Sequence, residues 1–251
     1  MSFAGKACIV TGATSGIGRA IALELASRRA DLLLIGRDVG RGSQVLAQLR
    51  SLGAAASFMA ADVAHPDSPR EIVETVLGVY GRIDVLVNNA GILINGTVLD
   101  CTDEEWNRVL DVNVSGAFRL SRAVLPQMIQ QKSGAIVNVA SDWALMGARG
   151  ATAYCVSKAA LAQLTRCMAL DYANSGIRVN AVCPGDTDTP MLDLACDGAD
   201  RDCKIRTLAA SIPLGRVARS EEIARVVAFV ASAEASFMTG ALLPVDGGTS
   251  A

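Results

Sequence analysis

Two stretches of this chain, Leu32-Leu33-Leu34-Ile35 and Val85-Leu86-Val87, are apolar at consecutive positions. Successive side chains of a strand point to opposite faces, so such runs need burial on both faces, as in a parallel sheet covered by helices on each side. Short apolar runs of this kind alternate with amphipathic stretches from one end to the other. They predict strands near 6–10, 31–36, 56–60, 83–87, 134–140, 177–182 and 241–245. The expected fold class is therefore α/β, a doubly wound sheet of about seven parallel strands with helices on both faces. No repeat or Pro/Ser-rich linker interrupts the pattern, and 251 residues with 51% hydrophobic content suit a single domain over 1–251.

Charge narrows the function classes. There are 23 Lys plus Arg against 25 Asp plus Glu, a net charge of -2, without the basic excess that binding a phosphate backbone requires, so no nucleic-acid partner is expected. Seven scattered cysteines lack the spacing of a zinc site, so no metal is expected and the thiols read as reduced in a cytoplasmic protein, with Cys196 and Cys203 a conceivable redox pair. Met1 to Val10 holds one Lys and a short apolar stretch, too little for a secretory signal. The most membrane-like window, Val226 to Val245, is broken by Ser232, Ser236, Thr239, Gly240 and Pro244, and reads as a buried helix, a turn and a buried strand, so no membrane partner is expected.

Start signals mark two helices. Ser68-Pro69-Arg70-Glu71 reads as a capping serine with proline at the first helical position, and Thr102-Asp103-Glu104-Glu105 as a capping box. The second opens one long helix over 103–131, with an apolar stripe of Trp106, Val109, Leu110, Val114, Ala117, Phe118, Val124 and Leu125. Asn113 falls within that stripe, where an amide needs a hydrogen-bonding task.

The first strand runs into Thr11-Gly12-Ala13-Thr14-Ser15-Gly16-Ile17-Gly18 and then a helical pattern. A glycine turn there can rest a dinucleotide diphosphate on backbone N–H groups and the positive end of the helix, although the spacing G-x-x-x-G-x-G differs from the G-x-G-x-x-G fingerprint. The second strand ends in Ile35-Gly36-Arg37. A guanidinium at that point suits a 2′-phosphate, which favours NADP(H) over NAD(H); the other reading is a loop charge paired with Asp38.

Tyr154 and Lys158 lie four residues apart, on one face of a helix running to about Tyr172. A nearby ammonium is expected to lower the phenol from its ordinary value near 10 and make it a usable acid-base group. Tyr-x-x-x-Lys alone also fits a packed Tyr beside a surface Lys. Three further polar features meet the same sheet edge: Ser141 after Ile136-Val137-Asn138-Val139-Ala140, Asn88-Asn89-Ala90-Gly91 after the fourth strand, and inward-facing Asn113. His65 beside Pro66 reads as a surface residue.

With these residues assembled, the whole chain resembles the short-chain dehydrogenase/reductase (SDR) family. Matching elements include the glycine loop, Asp62-Val63, Asn88-Asn89-Ala90-Gly91, Asn113, Ser141, Tyr154-x-x-x-Lys158, Arg178-Val179-Asn180, Pro184-Gly185, Pro213-Leu214-Gly215-Arg216 and Val245-Asp246-Gly247-Gly248. The resemblance implies a Rossmann-like domain and an NAD(P)(H)-dependent oxidoreductase that interconverts a secondary alcohol and a ketone. It implies a tetrad of Asn113, Ser141, Tyr154 and Lys158: Ser141 holding the substrate oxygen, Tyr154 moving its proton, Lys158 holding the nicotinamide ribose, and Asn113 ordering a water toward Lys158. It implies Asp62, Val63, Asn88, Ala90 and Gly91 around the adenine and its ribose, Pro184, Gly185, Thr187 and Thr189 at the nicotinamide end, and a homotetramer built on the 103–131 and Tyr154 helices and on the C-terminal helix and strand.

Substrate choice is expected in Leu93 to Thr97, Asp142 to Gly150, and a charged, lid-like stretch at about 186–211. Asp142, Trp143, Arg149 and Asp186 are candidates to touch a small polar substrate such as a polyol, sugar or cyclic diol; the alternative for the acids is solvated loop charges. A 3-oxoacyl-carrier-protein reductase is the alternative activity, less favoured because a basic rim for an acidic carrier is missing. From another class, a nonenzymatic NAD(P)-binding sensor or scaffold would have no need of Ser141, Tyr154 and Lys158 together.

Overall fold

The computed structural model describes residues 1–194 and 200–251. In chain order the elements are β1 (Ala7–Thr11), α1 (Gly16–Ser27), β2 (Asp31–Gly36), α2 (Val39–Ser51), β3 (Ala56–Ala60), α3 (Ser68–Tyr80), β4 (Val85–Asn88), α4 (Asp103–Leu110), α5 (Gly116–Gln131), β5 (Gly134–Val139), α6 (Thr152–Tyr172), β6 (Ile177–Pro184), β7 (Thr187–Asp188), α7 (Met191–Leu194), α8 (Arg201–Ser211), β8 (Ala218–Arg219), α9 (Ser220–Ala231) and β9 (Leu242–Val245). Seven strands form one parallel sheet in the order β3-β2-β1-β4-β5-β6-β9, while β7 and β8 pair separately. All seven predicted strands are present, and the membrane-like window resolves into α9, a turn and β9. Among the described residues no helix is long and apolar enough to cross a membrane.

The consecutive apolar runs divide between two cores as the strand alternation requires. On one face Cys8, Val10, Leu32, Leu34, Val85 and Val87 pack with Ala20, Ile21 and Leu25 of α1 and Ile223, Ala224 and Val227 of α9. On the other, Ile9, Leu33, Ile35, Leu86 and Ile136 pack with Ile72 and Val76 of α3, Leu120, Val124 and Met128 of α5 and Met168 of α6. Each fully buried Leu or Ile contributes about 1.5–3 kcal/mol of apolar burial, so both helical layers are needed to hold the sheet.

Strand order reverses between β1 and β4, and the cleft opens there, at the carboxyl ends of the strands. Three local expectations change. Ser68 lies inside α3, with Asp67 at the cap position, and its hydroxyl donates to the Asp62 carbonyl at 2.7 Å. The helix expected over 103–131 begins with the Thr102 capping box but is broken by a π turn at Asp111–Ser115 between α4 and α5. The widened turn buries Val112 and Asn113 side by side. Phe118 leaves the apolar stripe and is exposed, with the Arg122 guanidinium 5.1 Å from its ring centre.

Candidate active site

The loop from β1 to α1 is shaped for a bound anion. Gly12 and Gly16 have φ of 63° and 50°, a backbone region costly to side chains, and a Cβ at Gly18 would run into the Gly12 carbonyl oxygen and the Asn89 amide. Ser15 stands at the cap position of α1 without a side-chain bond to the helix, so the first-turn N–H groups face the cleft. Gly12, Thr14, Ser15, Gly16, Ile17 and Gly18 line a cleft of about 470 Å³. This crowded, amide-lined turn fits a dinucleotide diphosphate.

Beyond the loop, Arg37, Asp62 and Val63 also line the cleft. Arg37 is 57% exposed and its guanidinium lies 4.0 Å from Asp62, not beside Asp38. Asp38 instead caps α2, its carboxylate accepting from the Arg41 backbone N–H at 2.9 Å and from Arg41 Nε at 2.8 Å, which hold it below the usual carboxylate range. Arg41, a second cation on the cleft wall, was not expected from the sequence; its place three residues after a capping Asp was the available signal.

The Asn88-Asn89 pair divides differently from the expectation. Asn88 turns under the sheet edge, donating to Ser121 Oγ at 3.1 Å and Asn138 Oδ1 at 2.8 Å, and Asn138 passes the chain on to Thr165 Oγ1 at 2.8 Å. It does not line the cleft, whereas Asn89, Ala90 and Gly91 do. Asn89 donates to the Thr11 carbonyl at 2.9 Å, and Thr11 Oγ1 accepts from the Asn89 and Ala90 N–H groups at 3.0 Å each, fastening the end of β4 to the glycine loop. Asn113 is likewise turned inward: its Oδ1 accepts from Ile92 N at 2.8 Å, and its amide donates to Ile92 O at 2.9 Å and Ser157 Oγ at 3.0 Å. It too is absent from the cleft lining.

Ser141, Tyr154 and Lys158 meet on the cleft wall and are all buried. Tyr154 and Lys158 are one turn apart on α6, and Lys158 Nζ lies 5.5 Å from the Tyr154 ring centre while donating to Val139 O at 2.8 Å. The expected lowering of the phenol is reversed: burial drives Tyr154 above its ordinary value, with the Ser141 hydroxyl pulling the other way, so the phenol is neutral at neutral pH. Burial also brings Lys158 down to about 8. Among the described residues no group of three or more His, Cys, Asp or Glu is placed to hold a metal ion.

Pro184, Gly185, Thr187 and Thr189 line the same cleft, with Thr187 Oγ1 donating to Gly185 O at 2.9 Å. So do Asp142, Trp143 and Asp186; the Trp143 ring stands edge-on to Tyr154 at 5.8 Å. Arg149 is exposed and outside the lining, because the turn at Asp142–Ala144 carries the following chain outward. Met191 and Leu192 of α7 add apolar wall, and Arg201 of α8 ties back to Asp188 and Asp193. Asp200 caps α8, Cys203 is exposed on it, and Cys196 lies outside the described residues.

A family model described as Enoyl-(Acyl carrier protein) reductase matches residues 12–250. The chain is similar to the cis-4-hydroxycyclohexanecarboxylate dehydrogenase of Sinomonas cyclohexanicum, 42% identical over 252 residues, spanning 100% of this chain and 98% of that one. It is 39% identical over 250 residues to the 3-oxoacyl-(acyl-carrier-protein) reductase of Thermotoga maritima, spanning 99% of each. The crystal structure of a levodione reductase superposes with a TM-score of 0.95 at 32% identity, covering 99% of this chain and 98% of the other.

Proposed function

The chain belongs to the short-chain dehydrogenase/reductase family and is an NAD(P)(H)-dependent oxidoreductase, and from that premise we propose that it interconverts a secondary alcohol and a ketone on a small, polar, ring-sized compound, with NADP(H) as the preferred cofactor. The observation that carries this reading is the single cleft in which Ser141, Tyr154 and Lys158 adjoin the Gly12–Gly18 cradle. Ring size is supported by the cyclic compounds that name two similar proteins.

The chain's own groups divide the work. The Gly12–Gly18 loop holds the diphosphate on main-chain N–H groups. Asp62, Val63, Ala90 and Gly91 flank the adenosine end, and Pro184, Gly185, Thr187 and Thr189 the nicotinamide end. When bound, the nicotinamide supplies or accepts the hydride at the carbon that bears the substrate oxygen. Ser141 holds that oxygen, and Tyr154, kept neutral by burial, donates its proton to it in the reducing direction. Lys158, still cationic below about pH 8, then stabilises the phenolate left behind. Asn113 acts through the backbone at Ile92 and through Ser157, whose hydroxyl donates to Tyr154 O at 2.7 Å, and so steadies the start of α6.

NADP(H) is favoured because Arg37 and Arg41 offer two cations at the end of β2 while the Asp38 carboxylate is spent on capping α2. Within the stretch at about 186–211, the described residues Asp186, Thr187, Thr189, Met191 and Leu192 line the cleft and support a substrate-facing role for that part. A homotetramer is supported by exposed Phe118, Val156 and Leu170 on α5 and α6 and by Phe237 ahead of β9. An odd number of scattered cysteines without paired spacing supports a cytoplasmic site of action.

The test pairs NADPH and NADH with substituted cyclohexanones, the matching alcohols, polyols and a 3-oxoacyl thioester, following nicotinamide absorbance. Turnover of the cyclic compounds with NADPH, lost in Tyr154→Phe, supports the reading. Turnover confined to the thioester assigns the carrier-protein alternative, and preference for NADH removes the role given to Arg37.

A further inference from the structure

Ser141 and Asp142 share more than a peptide bond. The Ser141 hydroxyl donates to Asp142 Oδ1 at 2.9 Å, and the Trp143 N–H reaches both groups, Asp142 Oδ1 at 2.8 Å and Ser141 Oγ at 3.2 Å. A serine has one proton to give. An ionised Asp142 can only accept, and a bond to a charged acceptor is the stronger kind, so the serine proton is held away from the substrate oxygen. A protonated Asp142 can donate to Ser141 Oγ and release the serine proton toward that oxygen. Resting on the alcohol–ketone reading above, we propose that Asp142 is a positioning residue that acts through Ser141: neutral, it aims the serine proton at the substrate oxygen, and ionised, it withdraws it.

The surroundings of Asp142 suit this task. It is 4% exposed, and its second oxygen lies on the Gly185 side, where a Cβ on that glycine would stand 3.3 Å away. Facing it are Tyr154 on α6, Cys183 on β6, Asp186 just after β6 and Asp246 just after β9, and Lys158 of α6 lines the same cleft. Of these only Lys158 is cationic, and its amine is bonded to Val139 O; Lys204 of α8 acts on Asp186. Burial first, and the like charges of Asp186 and Asp246 after it, push Asp142 up to about 6 against the pull of Ser141 and the Trp143 N–H. Both forms are therefore populated near neutrality. Negative charge growing on the substrate oxygen favours the neutral form further.

Two measurements test the proposal. For ketone reduction, wild-type kcat/KM should fall about eightfold between pH 6.5 and 7.5, the drop in the neutral fraction of a group titrating near 6. Asp142→Asn, which has no carboxyl to titrate, should be flat over the same range. A flat wild-type profile, or an unchanged fall in Asp142→Asn, overturns the proposal. The second readout needs neither substrate nor cofactor. Trp106 and Trp143 are the two tryptophans, so Trp106→Phe leaves Trp143 as the reporter beside Asp142. Its fluorescence should titrate with a midpoint near pH 6, and the transition should vanish when Asp142→Asn is added. Its absence in Trp106→Phe overturns the proposal whether or not any ketone is reduced. Fluorescence titration without turnover of any ketone or alcohol overturns the alcohol–ketone reading, and with it the link from Asp142 to the reaction.

Discussion

The Lys158 ammonium donates to the Val139 carbonyl at 2.8 Å and stands 5.5 Å from the Tyr154 ring centre, in a position only 3% exposed. One carbonyl cannot replace the water that an ammonium gives up, which is why burial lowers this amine from 10.5 to about 8. A folded-state value below the unfolded one means that the charged amine costs stability below about pH 8. The cost fades as pH rises from there toward 10.5, and it amounts to ~3 kcal/mol at neutral pH.

Lys158→Met keeps the length of the side chain and removes the charge. Its melting temperature at pH 7 should exceed that of the wild type by several degrees, and the gain should shrink by pH 10.5. Carbonyl reduction should fall by ~10²–10⁴-fold. Calorimetry at the two pH values together with a rate assay decides it; a lower melting temperature at pH 7 contradicts the burial argument.

Arg37→Ala should weaken NADPH binding by ~10–100-fold, the value of a charge-assisted bond to the 2′-phosphate, and change NADH binding less than twofold. Arg41→Ala should have the same sign and a smaller size, because Arg41 is already engaged by Asp38. Nicotinamide fluorescence titrations measure both, and equal losses for the two cofactors would count against a 2′-phosphate contact.

Two glycines should answer alanine in opposite ways. At Gly18 the new methyl meets the Gly12 carbonyl and the Asn89 amide, so Gly18→Ala should abolish dinucleotide binding and cost ~2 kcal/mol or more. At Gly78, inside α3 with open space around it, Gly78→Ala should stabilise by ~0.5–1 kcal/mol and leave kinetics alone. Denaturant melts with cofactor titrations check the pair.

Asp84 lies at the other end of the strands from the cleft. Burial pushes its carboxyl up, but Arg82, Lys6 and the Ala7 N–H, at 2.6 to 3.0 Å, outweigh it and leave the group below its usual value. Its contribution is therefore present above about pH 4 and is lost as pH falls through the lowered folded value. Asp84→Asn should cost ~1–3 kcal/mol at pH 7, less toward pH 3, with KM unchanged. A shifted KM would link this end of the sheet to the cleft.

The sheet was legible because doubly buried strands must be apolar at every position, which Leu32 to Ile35 and Val85 to Val87 are. The cleft was legible because glycine at 12, 16 and 18 and Tyr154 four residues before Lys158 are spacings tied to local geometry. What escaped depends on neighbours distant in sequence. Over five residues a π turn and an α turn have nearly the same apolar pattern, so the break around Asn113 left no periodic trace. Adjacent strand residues face opposite ways, and that Asn88 turns inward is decided by Ser121 and Asn138, from α5 and β5. Spacing brings Lys158 to Tyr154, but only the depth of the site fixes which of burial or charge wins at the phenol.

Helix α1, which presents the diphosphate cradle, is formed within the first 27 residues, yet it packs on α9, formed by residues 220–231. The glycine-loop end of the domain thus borrows its buried surface from a helix that comes far later in the chain. A chain clipped before Ser220 would carry every residue of the glycine loop and still have no rigid place to seat a nucleotide, so cofactor capture should report on whether α9 is in place.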